Sequence, residues 1–392
     1  MLQRTESPRP AVSAGPPALD TSSDEKVNRV IRLAQRLFDV PMVAVTLVND
    51  THHWHLASLG MSSREIPREE AFCSRTVEQP GPFVVVDASS DEQFKDSPSV
   101  TGAPHIRFYA GQPLTAPGGH RVGALCIFDQ QPRTITDDDL VLLRDLADLV
   151  EQELDSEQEL VRASEIQRQL LPEHRPELPG YDIAGQCWPA RRLGGDFYDW
   201  YPVRDRLQVV VADVMGKGVA AALIAASLRA LVRGASRHND LEEAVNRTAH
   251  IIEDDLNETD TFATLFCARL DGPSGRLSYV DAGHGLTGVI RSTGRLRRLL
   301  SDGAPIGASF GVRYKAHHTH LAPGDTLVSV SDGFLDYFDS TSAALAAALR
   351  INRESADAQE LVDRMFQTVG DAPRTDDLTV VAIRRLGSGS GA

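Results

Sequence analysis

Four acidic positions in the second half of the chain share one context. Asp196 follows two glycines in "RRLGGDFYDWY", Asp213 ends the run "LQVVVAD", Asp332 ends "TLVSVSD" before Gly333, and the pair Asp376 and Asp377 precedes "LTVVAI". Each sits at the end of a β-rich run beside a turn. If those ends meet at one rim, several carboxylates share a small volume and repel one another, which favours partial protonation unless cations intervene. Mg2+ or Mn2+ prefers oxygen ligands and keeps several waters. Two such ions can share a water, lower its pKa and stabilise an in-line displacement at phosphorus. Glycines at 194, 195, 216, 218 and 333 let backbone approach the ions closely. One aspartate alone is more often a cap or turn residue, so the chemistry requires all four positions together.

The elements that must carry them are mostly strands. From Tyr181 to Leu386, "YDIAGQCWPA", "RLQVVVADV", "TFATLFCARLD", "GRLSYVDAGH", "TGVIRSTGRLRRL", "DTLVSVSDG" and "DLTVVAIRRL" are short, β-rich and turn-bounded. Two helical stretches interrupt them. "GVAAALIAASLRALVRG" is rich in small residues that pack closely on a sheet, and "NDLEEAVNRTAHIIEDDL" marks its apolar side with Leu241, Val245, Ile251 and Ile252. The pattern predicts two antiparallel sheets flanked by helices.

The first part of the chain reads differently. "KVNRVIRLAQRLFDV" has Val30, Leu33, Leu37 and Phe38 at helical spacing, several strands follow, and "TDDDLVLLRDLADLVEQEL" forms a helix capped by Thr136 or Asp137. That is one compact α+β domain over residues 25–152. A helical connector, 153–175, follows. In it Ser156 and Glu159 could start a new helix, or one helix runs through and pairs with a twin in a dimer, until Pro172 stops it. Residues 176–386 form the strand-rich domain, 1–24 a Pro- and Ser-rich disordered leader, and 387–392 a flexible tail.

The net charge of −15 repels phosphate backbones, so nucleic acid is not an expected partner. No apolar run approaches eighteen residues and the N-terminus lacks an apolar core, so no membrane partner is expected and the location is read as cytoplasmic. Cys73, Cys126, Cys187 and Cys267 form no CxxC pair and read as buried, reduced thiols. His52, His53 and His55 lack a matching carboxylate or cysteine at ligand spacing, and "AHHTH" reads as an exposed strand edge. "GGDF" lacks the Glu and the βααβ context of a diguanylate cyclase, and "VMGKG" lacks the first Gly and the Ser or Thr of a P-loop.

Two resemblances follow from these residues. "FYAGQPLTAPGGHRVGALCIFDQQPR" with the helix after it resembles a GAF domain. "LLPEHRPELPGYDIAGQCWPARRLGGDFYDW", "VVVADVMGKGVAAALIAASL", "TFATLFCARLD", "YVDAGHG", "SDGFLD" and "TDDLTVV" together resemble the metal-dependent (PPM-type) serine/threonine protein phosphatases, in the bacterial stage II sporulation protein E branch. The second resemblance implies a phosphatase fold of two packed β-sheets with outer helices, and two ions, Mn2+ or Mg2+. It implies Asp213 as the bridging ligand, helped by the Val214 carbonyl, with Asp332 and Asp376 on one ion and Asp377 as second choice. It implies that Asp196 orients a water on the ions. Arg191, with Arg192 as rival, is the candidate for the substrate phosphate. Met215 stands where many eukaryotic relatives place a proton-donating histidine, and His284 reads as structural. The implied substrate is a phosphorylated protein of the anti-sigma-factor antagonist type. The GAF domain reads an unknown small molecule or none, and a homodimer is expected. The competing reading is a catalytically weak phosphoprotein-binding or dimer-scaffold regulator.

Overall fold

The computed structural model describes residues 21–48, 52–61, 65–67, 71–300, 303–370 and 374–387. Most of the expected leader and tail lies outside them, and the helix that opens the chain begins at Thr21, inside the stretch read as leader. The chain forms two compact units, residues 1–159 and 160–392.

The first unit runs α1 (Thr21–Phe38), β1 (Met42–Val48), β2 (His52–Leu59), β3 (Glu65–Pro67), α2 (Phe72–Glu78), β4 (Phe83–Val85), α3 (Pro98–Thr101), β5 (Phe108–Thr115), β6 (Arg121–Asp129) and α4 (Asp137–Leu170). Its strands form one antiparallel sheet in the order β3-β2-β1-β6-β5-β4. Both faces are covered, which explains why β1 and β6 are apolar almost throughout. One face packs on α1 and the start of α4 through Ile31, Ala34, Leu143, Leu146 and Val150. The other packs on α2 through Phe72, Cys73, Phe94, Tyr109 and Cys126. The buried stripe of α1 is Val27, Ile31, Ala34 and Phe38, while Leu33 and Leu37 are exposed. The periodicity identified the helix but set its face wrongly, because Ala34 counts as apolar only once the sheet comes close.

The Thr136 cap holds: its hydroxyl accepts from the Asp139 N–H at 3.2 Å, and Asp139 accepts in return from the Thr136 N–H at 3.0 Å. From there α4 continues without a break to Leu170. Ser156 starts no second helix, because "DSEQE" contains neither Gly nor Pro and every residue in it tolerates helix.

The second unit adds β7 (Tyr181–Trp188), β8 (Phe197–Val203), β9 (Arg206–Val214), α5 (Val219–Ser236), α6 (Leu241–Glu258), β10 (Ala263–Leu270), β11 (Arg276–Ala282), β12 (Thr287–Ile290), β13 (Leu296–Arg298), β14 (His317–His320), β15 (Thr326–Val330), α7 (Thr341–Glu354), α8 (Ala358–Val369) and β16 (Leu378–Arg385). Two five-stranded antiparallel sheets result, ordered β14-β11-β10-β9-β8 and β13-β12-β15-β16-β7. Alternation sorts their side chains. Val209 and Val211 join Trp200, Phe266, Leu327 and Ile383 between the sheets, while Val210, Ala212 and Val214 face α5 and α6. Phe334, Met365 and Phe366 join the core under α7 and α8. The two-sheet expectation is met, with two helices outside each sheet.

Three local readings change. Strand β8 and helix α8 went unlisted by sequence, although α8 carries Leu361, Val362, Met365, Phe366 and Val369 on one buried face and a capping Asp357. Ile251 is exposed, and α6 buries Leu241, Val245, Ile252 and Leu256 instead. Helix α5 has the length and apolarity of a membrane span, against the expectation that no run comes near one. Its Ala221, Ala225, Leu228 and Val232 face pack into the core. Arg229 and Arg233 pair with buried Asp199 on β8 at 3.2 and 3.1 Å, tying α5 to the sheet.

Candidate metal centre

Strand ends position every acidic side chain of interest. Asp213 is the next-to-last residue of β9, Asp196 immediately precedes β8, Asp332 opens a 3-10 turn (Asp332–Tyr337) after β15, and Asp376 and Asp377 lead into β16. β8 and β9 are neighbours in one sheet, β15 and β16 in the other. The four positions therefore reach one rim of the sandwich. Their electrostatics record the encounter. Burial, followed by the charges of Asp332, Asp376 and Asp377, pushes the Asp213 carboxyl up to about 7. Burial, then Asp213 and Asp377, raises Asp196 well above the usual carboxylate range. Partial burial, then Asp376 and Asp336, raises Asp332, against the pull of the Lys217 ammonium.

Asp377 does a different job from its neighbour. It is 4% exposed and accepts the N–H groups of Ala190 at 2.7 Å, Gly195 at 2.7 Å and Asp196 at 3.2 Å. Those three bonds fix the loop that delivers Asp196. Asp376 is half-exposed and open, with Lys217 Nζ 3.0 Å from its Oδ2. The glycines explain themselves by packing rather than by approach to an ion. A Cβ at Gly194 would strike the Asp377 carboxylate, one at Gly195 the Val214 carbonyl, and one at Gly333 the Asp377 carbonyl. Gly216 and Gly218 have open space and instead supply φ values of 104° and 82°.

Two residues overlooked by sequence reasoning hold this rim. The Gln167 side chain, from the end of α4, donates to the Gly194 carbonyl at 2.7 Å and accepts the Gly194 N–H at 3.2 Å. It grips the Asp196 loop at Gly194, across 27 residues of sequence, where no local motif reveals it. Lys217 was visible only as part of a failed P-loop match. Arg191 is exposed and Arg192 half-buried on the same loop. His284 is buried, bonded through Nε2 to Ser329 at 3.1 Å, and burial lowers its pKa to about 4. That is a structural imidazole, as read from the sequence.

The donors suit hard cations. All are oxygens, they repel one another, and the buried Oδ2 of Asp196 has no hydrogen-bond partner. Among the described residues no group of three or more His, Cys, Asp or Glu side chains is close enough together to hold a metal ion as it stands. The rim is open, and the Lys217 ammonium supplies one positive charge to it.

Comparison with known proteins bears on both units. The stage II sporulation protein E model matches residues 204–386, and the GAF domain model matches residues 23–154. The cyclic di-GMP phosphodiesterase PA2567 of Pseudomonas aeruginosa is 35% identical over 133 residues, 34% of this chain and 23% of that protein. The phosphoserine phosphatase RsbU of Bacillus subtilis is 26% identical over 244 residues, 60% of this chain and 72% of that one. The SiaA-PP2C domain structure from Pseudomonas aeruginosa superposes with a TM-score of 0.50 at 24% identity, covering 58% of this chain and 96% of that one. The chain spans less than half the length of two of the curated relatives it matches, 23% of one and 41% of the other.

Proposed function

We propose, for a chain that joins a GAF domain to a SpoIIE-type PP2C phosphatase domain, that it hydrolyses phosphoserine or phosphothreonine on a partner protein. One observation carries the reading: carboxylates from four separate strand ends reach one rim, where burial, then the charges of its neighbours, pushes Asp213 up to about 7 and Asp196 keeps a buried, unpartnered oxygen. When bound, a pair of divalent ions, Mn2+ or Mg2+, supplies an activated water and neutralises charge at phosphorus. Asp213, the Val214 carbonyl, Asp332 and Asp376 are the groups that would hold the ions. Asp196 would accept a proton from the attacking water and orient it. Asp377 is kept out of ligation by its three N–H bonds and serves to hold the loop, which favours Asp376 over Asp377 as ligand. Arg191, exposed at the mouth, reaches for the substrate phosphate by a bidentate contact, and Arg192 is its alternative.

The likeness to the phosphoserine phosphatase RsbU supports a phosphoserine substrate; that this is a phosphorylated anti-sigma-factor antagonist in the cytoplasm, with regulation of a sigma factor as the outcome, follows from the family resemblance of the motifs. The GAF unit is the regulatory half, and the exposed Leu149, Val161 and Ile166 of α4 support a homodimer. The test is phosphate release from a phosphoserine antagonist protein with Mn2+ or Mg2+, by the full chain and its Asp213→Asn variant. Release lost in the variant supports the phosphatase. No release from any phosphoprotein with either ion, alongside tight binding of one, would support the scaffold reading.

A further inference from the structure

Cys73 and Cys126 take no part in the phosphatase rim and lie in the other unit. Cys73 is the second residue of α2 and Cys126 is central in β6, and their Sγ atoms are 3.1 Å apart, both fully buried. The strand neighbours of Cys126 are Ala44 on β1 and Gly111 on β5. The space above Gly111 is filled by the Tyr109 hydroxyl and Thr76. Tyr109 closes the site from one side, its hydroxyl 3.3 Å from the Cys126 sulfur and bonded to Thr76. His53, from β2, is also buried and acts electrostatically on the Cys73 thiol. Two thiols and an imidazole thus meet in one packed cluster beside the stacked rings of Phe72, Phe94 and Tyr109. The other two thiols are placed otherwise: Cys267 accepts from the Gln208 amide at 2.6 Å, and Cys187 donates to the Asp196 carbonyl at 3.8 Å.

We propose that Cys73 and Cys126 are a redox modification site, closing a reversible intramolecular disulfide when the GAF unit meets a small peroxide. The Cys73 thiolate attacks one peroxide oxygen; the S–O bond forms, the O–O bond breaks, and hydroxide leaves to be protonated to water. Cys126 then attacks the Cys73 sulfenic sulfur; the S–S bond forms, the S–O bond breaks, and the departing hydroxide takes the Cys126 proton as a second water. Two thiols lose two electrons and one peroxide gains them. The roles follow from the surroundings. The hydrogen bond from Cys126, then His53, holds the Cys73 thiol well below its ordinary pKa, whereas burial pushes Cys126 up. Closure needs the sulfurs to approach from 3.1 Å to about 2.0 Å. Burial excludes bulky thiols and disulfides, which selects a small neutral oxidant. This assignment stands apart from the phosphatase reading.

The test is peptide mass spectrometry of the reduced full-length chain after hydrogen peroxide, under non-reducing conditions with free thiols alkylated. The expected product is a linked Cys73–Cys126 peptide pair, restored to two thiols by dithiothreitol, forming about tenfold faster than any oxidation at Cys187 or Cys267. Cys126→Ala, checked for its fold by circular dichroism, should stop at a dimedone-reactive sulfenic acid on Cys73. Free Cys73 and Cys126 after Cys187 or Cys267 has oxidised overturn the proposal, as does sulfinic acid on Cys73 without linkage in the unmodified chain.

Discussion

Both units bury a cluster of titratable groups, and the two clusters meet the cost of burial in opposite ways. In the GAF unit Cys73, Cys126, Tyr109 and Thr76 are neutral-capable groups that satisfy one another by hydrogen bonds beneath stacked rings. In the phosphatase unit Asp196, Asp213, Asp332 and Asp376 carry one sign of charge, and Lys217 answers only part of it. A thiol–phenol cluster closes on itself and can wait for a chemical event. A carboxylate rim cannot close, and its repulsion is a standing demand for cations.

The largest expected effect breaks that contrast at its centre. Asp213→Asn removes the group on which the rim's repulsion converges, so phosphate release should fall by more than about a thousandfold, beyond the loss of a single transition-state donor. Removing Cys73 or Cys126 should leave the basal rate unchanged, because neither touches the rim. A rate assay on the three variants with Mn2+ checks both halves. The metal demand has its own signature in stability. The raised Asp213 pKa means that the folded state binds a proton the unfolded chain has released, so metal-free stability falls as pH rises from about 4 to about 7. Mn2+ should therefore raise the melting temperature more at about pH 8 than at about pH 5; an equal rise at both would contradict a repulsive rim.

Gln167 sharpens the comparison within the phosphatase unit. Its amide holds the Asp196 loop at Gly194 and Asp377 holds it at Gly195. Gln167→Ala should lower kcat by on the order of tenfold to a hundredfold, the penalty of a displaced catalytic group, and should weaken Mn2+ binding in calorimetry. Gln167→Glu keeps the acceptor for the Gly194 N–H but loses the donor, so its loss should be smaller. Unchanged kcat and metal affinity in Gln167→Ala would reduce the contact to packing.

What was legible in the sequence divides along the same physical line. Asp196, Asp213, Asp332 and Asp376 could be found because strand ends, glycines and acid residues are local patterns, and the two-sheet architecture follows from strands bounded by turns. The Gln167 grip could not, because it depends on where a long helix ends relative to a loop 27 residues away. The Asp376 and Asp377 pair shows the same limit. The resemblance ranks Asp376 before Asp377 as a ligand, but the three N–H groups that Asp377 accepts appear only in the fold. The buried face of α1 failed for a third reason: small Ala34 packs only when its sheet is already in place, so hydropathy undervalues it. In the GAF unit Cys73 and Cys126 lie 53 residues apart and pair only through the packing of α2 on β6.

The smallest expected effect concerns a neutral buried group of the second unit. His284 is enclosed between Ser329, Thr264 and the Asp281 turn, and burial lowers its pKa from 6.5 to about 4. A depressed imidazole stabilises the fold where the unfolded histidine is already neutral. Its contribution is complete above about pH 6.5 and is lost as pH falls toward about 4, a span worth about 3 kcal/mol. Denaturant unfolding of the chain should show that slope, and His284→Gln should flatten it while leaving the neutral-pH rate of phosphate release nearly unchanged. Hydrogen exchange locates the effect: β11 and β12, which flank His284, should lose protection below pH 6.5, whereas β1 and β6 of the GAF unit should not follow them. If both units lost protection together, His284 would not be the group that titrates, and acid sensitivity would belong to the fold as a whole.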